Sequence, residues 1–267
     1  PIIVCRENTV QNVDANTCSW TAPAGSLTPF QAIGNCISVA WDVQNPNGTH
    51  TTGTTDVSGY MFQVGTSTVT YTITDEDDNE ETCSFTVKVI DNLSPSLIAP
   101  SDVTLNVTTS CTLSNINLGT PVVSDNCSNT VVTNNAPTKF PIGSTTVTWT
   151  ATDAIGNSTT DTQVVTVIDA VLPTISFAGG HVINKNNSLG VCGYEVKGSE
   201  FNPNAFDNCS IVSFTHNFTG SASSTSLEGA IIPIGVTTIT WTAIDAAGNT
   251  ATYVQTITVT DNQAPIF

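Results

Sequence analysis

Residues 140–157 read FPIGSTTVTWTATDAIGN, and inside that stretch Val147, Trp149 and Ala151 alternate with threonines. A period of two with one apolar side is the pattern of a strand that buries a single face. Residues 62–79, FQVGTSTVTYTITDEDDN, and residues 232–249, IPIGVTTITWTAIDAAGN, carry the same pattern. The register is strict: Gly65 to Asp75, Gly143 to Asp153 and Gly235 to Asp245 each span 10 positions, and an aspartate follows 16 further on at Asp91, Asp169 and Asp261. A repeat held in such register implies an array, each copy burying its own core and fitting its neighbour.

A second alternating run comes after each signature: Phe85, Val87 and Val89, then Val165 and Val167, then Ile257 and Val259. The two runs predict a hairpin, and its turn, Asp153 to Asn157 or Asp245 to Asn249, is expected to use Gly and Asn at positive φ. Shorter strands precede it, as at residues 37–43, and no segment has a helical period. About seven short strands per copy predict an all-β chain of three tandem immunoglobulin-like β-sandwich domains forming an elongated array. The expected boundaries are 1–92, 93–170 and 171–262, with 263–267 opening a further copy, since Pro265-Ile266-Phe267 matches Pro1-Ile2-Ile3. On that reading the chain is an excerpt of a longer protein.

With 267 residues and 39% hydrophobic content the chain can fill several small cores. Lys+Arg 5 against Asp+Glu 22 gives a net charge of -17, which repels nucleic acid and anionic membranes. The longest apolar stretch, residues 230–236, contains Pro233 and Gly235 and is far too short to span a bilayer, so no membrane insertion is expected.

Eight cysteines point to an oxidising compartment. Cys18 and Cys36, Cys111 and Cys127, and Cys192 and Cys209, at separations of 18, 16 and 17, read as one staple per copy. Closing such a loop stabilises by about 3 kcal/mol in the chain-entropy account. Cys5 and Cys83 remain, and their counterparts are Ala99 and Asp161 in the second copy and Phe177 and Tyr253 in the third. Joint loss is what a bonded pair shows, although four cysteines permit three connectivities. Zinc is the competing reading, but no C-x-x-C occurs, and His50, His181 and His216 lie in different copies.

The opening PIIVC, the G-x-x-T-V-T-Y-T-x-x-D signature and the ending TCSFTVKVID at residues 82–91 resemble the hyalin repeat (HYR) domain. The first copy matches most fully, and the other two, without counterparts of Cys5 and Cys83, resemble shorter versions in giant extracellular adhesin-like arrays, as in Bacteroidota. The resemblance implies an extracellular, cell-surface adhesion module used in tandem, with no catalytic residue to carry over.

In a sandwich, the previous copy's last strand, the loop before the second cysteine and the hairpin turn would meet at one end. Asp91, Asn92, Asp125, Asn126, Asp153 and Asn157 would then gather at the first joint, and Asp169, Asp207, Asn208, Asp245 and Asn249 at the second. Such carboxylates repel one another, and Ca²⁺ accepts six to eight oxygens in flexible geometry, so calcium is the expected occupant. Turn chemistry explains the same residues without a metal.

Trp149, Trp241 and Tyr71 alternate with threonine and read as core anchors, while Trp20 and Trp41 are expected to pack on a Cys18–Cys36 bridge. Sequons such as Asn47-Gly-Thr49, Asn106-Val-Thr108, Asn186-Asn-Ser188 and Asn217-Phe-Thr219 match glycosylation sites and also arise by chance in so Asn- and Thr-rich a chain. No nucleophile elbow, H-E-x-x-H or phosphate loop occurs, so no enzyme is expected. Two classes remain: a disulfide-stapled, calcium-stiffened stalk whose partners are neighbouring repeats, and a module that binds a surface glycan or protein receptor through end loops, residues 214–229 being the best candidate. Three units in line would span about 100 Å.

Overall fold

The computed structural model describes residues 1–127 and 129–264, apart from the side chains of Cys36 and Ile37. Every regular element among the described residues is a strand. The three hairpins form as Gly65–Asp75 with Glu80–Ile90, Gly143–Thr152 with Ser158–Asp169, and Gly235–Asp245 with Thr250–Thr260. The apolar partners face each other, with Val69 opposite Phe85 in the first copy and Trp241 opposite Tyr253 in the third. Each turn is closed by a bond from the aspartate N–H to the asparagine carbonyl, at 3.1, 3.0 and 3.1 Å for Asp75, Asp153 and Asp245. Gly156 and Gly248 do take positive φ, and Asp78 does so at the same place in the first copy. Asn157 and Asn249 do not: the turn needs only one left-handed residue, and the asparagine is kept for its amide.

The strands flanking each hairpin decide which ends of the sheet the loops reach. On one side of each hairpin lies a strand parallel to the last one: Thr9–Asn12, Val103–Val107 and Val182–Asn186. Running parallel, it finishes at the exit end of its sheet, with Asn12 opposite Ile90, Val107 opposite Asp169 and Asn186 opposite Thr260. On the other side the strands Cys36–Gln44, Val131–Asn134 and Ile211–His216 are antiparallel and begin at the turn end, opposite Asp75, Thr152 and Asp245. The first sheet adds His50–Thr54, where Gly53 lies opposite Trp41 with no room for a Cβ against the indole.

Tertiary contacts divide the chain into two compact units. One comprises Pro1–Pro100, Gly119–Asn135 and Thr148–Thr162, and the other Ser101–Leu118, Ala136–Val147 and everything from Gln163 onward. In the first unit the sheet face of Val69, Tyr71, Ile73, Phe85, Val87 and Val89 packs on Ile3 and Phe62, which come from short two-stranded ladders. Each fully buried side chain of this kind contributes about 1.5–3 kcal/mol. The Tyr71 hydroxyl accepts the Val57 N–H at 3.0 Å, so its polar end is satisfied inside. In the second unit Ile239, Trp241, Ile257 and Val259 pack on Ile232, Phe201 and Leu227.

The position of Phe85 is taken by glutamines in the other copies. Gln163 donates to the carbonyls of Ser101 and Leu118 at 2.7 and 2.9 Å, and Gln255 accepts the Trp241 indole N–H at 2.8 Å. Cys5 bonds to Cys83, resolving the open connectivity. At the matching place in the second copy the Ala99 N–H donates to the Asp161 carboxylate at 2.7 Å. In the third, Phe177 packs on the core that includes Tyr253, and His181 stacks on Tyr253. One position is thus closed by a covalent bond, a hydrogen bond and aromatic packing in turn.

Candidate functional site

The acids read from sequence gather in two clusters, each lying wholly within one compact unit. In the first unit Asp91 is buried where its copy's last strand ends, and its Oδ1 accepts the Leu93 N–H at 3.2 Å and the Asn126 amide at 3.3 Å. Asn157 reaches from the hairpin turn to donate to the Asp91 carbonyl at 3.2 Å and to Asp153 Oδ2 at 2.7 Å. Asp153 Oδ1 holds the turn through the N–H groups of Ile155, Gly156 and Asn157. Burial opposes its ionisation, but those N–H donors and the Asn157 amide outweigh it and hold the carboxyl below its ordinary range. Asp125 Oδ2 accepts the Cys127 N–H at 2.8 Å. Asn92 is exposed and takes part in none of these bonds.

The second unit repeats the pattern. Asp169 Oδ1 accepts the Val171 N–H at 3.0 Å and the Asn208 amide at 3.3 Å, while Asn249 donates to the carbonyls of Asp169 and Val171 at 3.1 and 3.2 Å. Asp207 Oδ2 accepts the Cys209 N–H at 2.8 Å, and Asp245 Oδ1 holds its turn through Ala247 and Asn249. Ligand atoms of Asp169, Asp207 and Cys209 lie within 4.8 Å of one another. The Cys209 thiol beside Asp169 is the main influence lowering that carboxyl, against the effect of burial. Burial, with Asp169 next, pushes the Cys209 thiol up, which disfavours the thiolate that zinc would need.

Seven side-chain N or O atoms among the described residues are buried without a hydrogen-bond partner. Four are oxygens of these clusters: Asp125 Oδ1, Asp169 Oδ2, Asp207 Oδ1 and Asn208 Oδ1. Such atoms cost about 1–3 kcal/mol each, more when charged. Three of the four lie in the second cluster and one in the first, and oxygens of this kind can ligate a hard cation.

The cysteine pairing differs from the one-staple-per-copy expectation. Cys18 bonds to Cys127 across 109 residues, with a Cα–Cα distance of 4.7 Å. This overturns Cys18–Cys36 and Cys111–Cys127, and Cys111, Cys192 and Cys209 carry no disulfide. The Cys36 side chain lies outside the described residues, but its backbone begins a strand opposite Asp75 at the turn end. Cys18 comes after the parallel strand, at the exit end. About nine residues at ~3.4 Å separate those ends, roughly 30 Å, where a disulfide requires Cα atoms within about 7 Å. The same separation of ends applies to Cys192 and Cys209. The signal that finds the observed pairing is the parallel first strand, which carries its cysteine away from its own copy's turn.

Trp20 and Trp41 therefore have no Cys18–Cys36 bridge to pack on. They join an aromatic cluster, Trp20 on Phe62 at 5.9 Å and Trp41 edge-on to Tyr60 at 5.8 Å. In the loop of residues 214–229, the His216 N–H donates to the Ser224 carbonyl at 2.7 Å, the Ser221 hydroxyl donates to the Ser226 carbonyl at 2.7 Å, and Leu227 is fully buried. No helix among the described residues is long and apolar enough to cross a membrane.

Among known proteins, hyalin from Lytechinus variegatus is 28% identical over 266 residues, covering 94% of this chain and 48% of its own length. Hyalin from Strongylocentrotus purpuratus is 29% identical over 266 residues, and the match takes in 21% of it. The chain thus spans half or less of these relatives. A serine-rich adhesin for platelets from Staphylococcus aureus (strain MRSA252) is 34% identical over 131 residues, 44% of this chain and 10% of the adhesin. Among solved structures, Drosophila N-cadherin EC1-4 covers 98% of this chain and 74% of its own at 11% identity and a TM-score of 0.33. Protocadherin Gamma B2 extracellular cadherin domains 1-5 covers 97% and 59% at 13% identity and a TM-score of 0.34. The profile of the HYR domain matches residues 1–89 and 90–167, more than half of the sequence, and the chain belongs to the HYR domain family.

Proposed function

We propose that this chain is a repeat segment of a long secreted or cell-surface adhesin, a stalk of three units, residues 1–92, 93–170 and 171–262, whose joints are stiffened by Ca²⁺. The observation that carries the calcium reading is the set of buried, unpartnered oxygens on Asp125, Asp169, Asp207 and Asn208. Asp91 and Asp169 would anchor the ion from the linker, and Asp125, Asp207 and Asn208 would supply oxygens from the loop before the cysteine. Asp153, Asn157, Asp245 and Asn249 border the sites and have their side-chain amides and both carboxylate oxygens committed to the turn. When bound, the ion supplies positive charge that offsets carboxylate repulsion. Adhesion as the wider role is supported by the hyalin and adhesin relatives.

The test is calorimetric titration of Ca²⁺ into chelator-treated protein, with thermal unfolding in parallel. Extracellular modules bind Ca²⁺ at about 10⁻⁴–10⁻³ M, and a ligand at 100 times its Kd stabilises by about 2.7 kcal/mol. A raised midpoint that Asp125→Ala and Asp207→Ala each diminish is expected. No heat and no shift at several millimolar Ca²⁺ would rule calcium out while leaving the repeat architecture standing. Direct receptor binding through end loops is the second reading, and the inward bonding of residues 214–229 supports a core cover there instead.

A further inference from the structure

The disulfide that joins the first copy to the second has an unbonded twin between the second and the third. Cys111 comes after its copy's parallel strand as Cys18 does, and Cys209 ends a D-N-C triplet as Cys127 does. The receiving loops share three bonds, and Asn126 makes a further one to the Thr17 carbonyl at 2.8 Å. Cys127 N–H and Cys209 N–H donate to Asp125 and Asp207, both at 2.8 Å. The Asn126 and Asn208 amides lie 3.2 Å from the sulfurs of Cys127 and Cys209, and 3.3 Å from Asp91 and Asp169. The delivering side points the same way: the Cys111 thiol donates to the carbonyl of Asn208, the residue next to Cys209, at 3.4 Å. All these groups of the second joint belong to one compact unit.

From this equivalence we infer that Cys111 and Cys209 form a disulfide, so that the copies of this chain are covalently laddered, each to the next, through one cysteine after the parallel strand and one in the D-N-C loop. The chemistry is thiol–disulfide exchange with a low-molecular-weight disulfide such as oxidised glutathione. One cysteine thiolate attacks the reagent and releases one thiol, leaving a mixed disulfide. The second cysteine's thiolate then attacks the protein sulfur of that mixed disulfide and expels the reagent's other half as the second thiol. Two protons and two electrons pass to the reagent, which leaves as two thiols. By the same register Cys36 holds a receiving position and Cys192 a delivering one, each without a counterpart in these 267 residues.

The experiment uses the full chain, refolded in a reduced and oxidised glutathione mixture, alkylated, cleaved without reduction and mapped by tandem mass spectrometry. The expected result is a Cys111–Cys209 peptide pair beside Cys18–Cys127, with alkylation of Cys111 and Cys209 lost. Cys192→Ser should leave that pair intact. Cys209→Ser should return Cys111 to the alkylated pool while Cys18–Cys127 persists. A Cys111–Cys127 or Cys192–Cys209 peptide would overturn the inference. So would alkylated Cys111 and Cys209 in a digest that contains Cys18–Cys127, or a digest without Cys18–Cys127, which would remove the template. The calcium reading is untouched by any of these outcomes, since the mapping is done in chelator.

Discussion

Both disulfides of the structure fall in the first compact unit, while the second has none among its described residues, although the two are built from the same repeat. The first unit closes one register position with Cys5–Cys83 and, in its share of the second copy, with the Ala99–Asp161 hydrogen bond. The second unit uses Phe177 and Tyr253 packing there and keeps Cys111 and Cys209 as neighbouring thiols. The backbone of the repeat therefore sets where a clasp is needed, and the side chains choose its chemistry. A clasp can change from covalent to polar to apolar without moving the strands it joins.

The strongest contrast is expected between Cys127→Ser and Cys192→Ser. Cys18–Cys127 closes a separation of 109 residues, and the chain-entropy account assigns a loop of that size about 4–5 kcal/mol. Cys127→Ser should therefore lower the denaturant midpoint strongly in oxidised protein and little in reduced protein. Cys192, exposed and unbonded, should be near neutral in both. Equal effects of the two substitutions would end the distinction between the units. Cys209→Ser refines it: a loss as large as that of Cys127→Ser accompanies a second ladder bond, and a small loss accompanies a free thiol.

Much of the fold was legible. The Val/Thr and Trp/Thr alternation located all three hairpins, because a face that is wholly buried beside one that is half wet leaves a period of two in the sequence. The register also named Ala99 and Asp161 as the equivalents of a bonded pair, and they meet at 2.7 Å. Asp91, Asn126 and Asn157, and their twins Asp169, Asn208 and Asn249, all drawn from the repeat register, do meet, with the asparagines as amide donors to the aspartates. The cysteine pairing was not. Spacings of 16 to 18 suit a short loop, and only the parallel placement of Thr9–Asn12 and its equivalents, a long-range pairing with no local signature, sends Cys18 to the opposite end from Cys36. Gln163 and Gln255 were also hidden, because a polar residue at an inward position breaks the alternation unless its buried partner is known.

Those glutamines provide the next contrast. Gln255→Ala in the second unit removes the acceptor of a fully buried indole N–H and leaves a cavity, for an expected loss of about 2–4 kcal/mol. In the first unit Phe85 holds the equivalent position and Tyr71 takes its hydrogen bond from the Val57 backbone, so Tyr71→Phe should cost only about 1 kcal/mol. Chemical denaturation of both variants measures the pair, and a larger loss for Tyr71→Phe would show that the two cores are not organised alike. Asn249→Ala and Asn157→Ala should come next with about 1–2 kcal/mol each, the former larger because Asn249 ties down two linker carbonyls and Asn157 one.

The weakest contrast is the one that separates the covalent clasp from the polar one by pH. Asp161 is held below the ordinary aspartate range, chiefly by the Ala99 N–H and then by the Thr162 N–H. A carboxyl whose folded pKa is lowered contributes stability that is fully present above its unfolded value of about 4 and is lost as pH falls through the lower folded value. The Ala99–Asp161 clasp should therefore weaken below about pH 4, whereas the Cys5–Cys83 clasp, which does not titrate, should hold. Following the Ala99 amide resonance by NMR through an acid titration reads this directly. A midpoint below that of a free aspartate, abolished by Asp161→Asn, is expected, and a midpoint at or above about 4 would mean that the hydrogen bond does not favour the ionised carboxylate and that the second copy closes this position some other way.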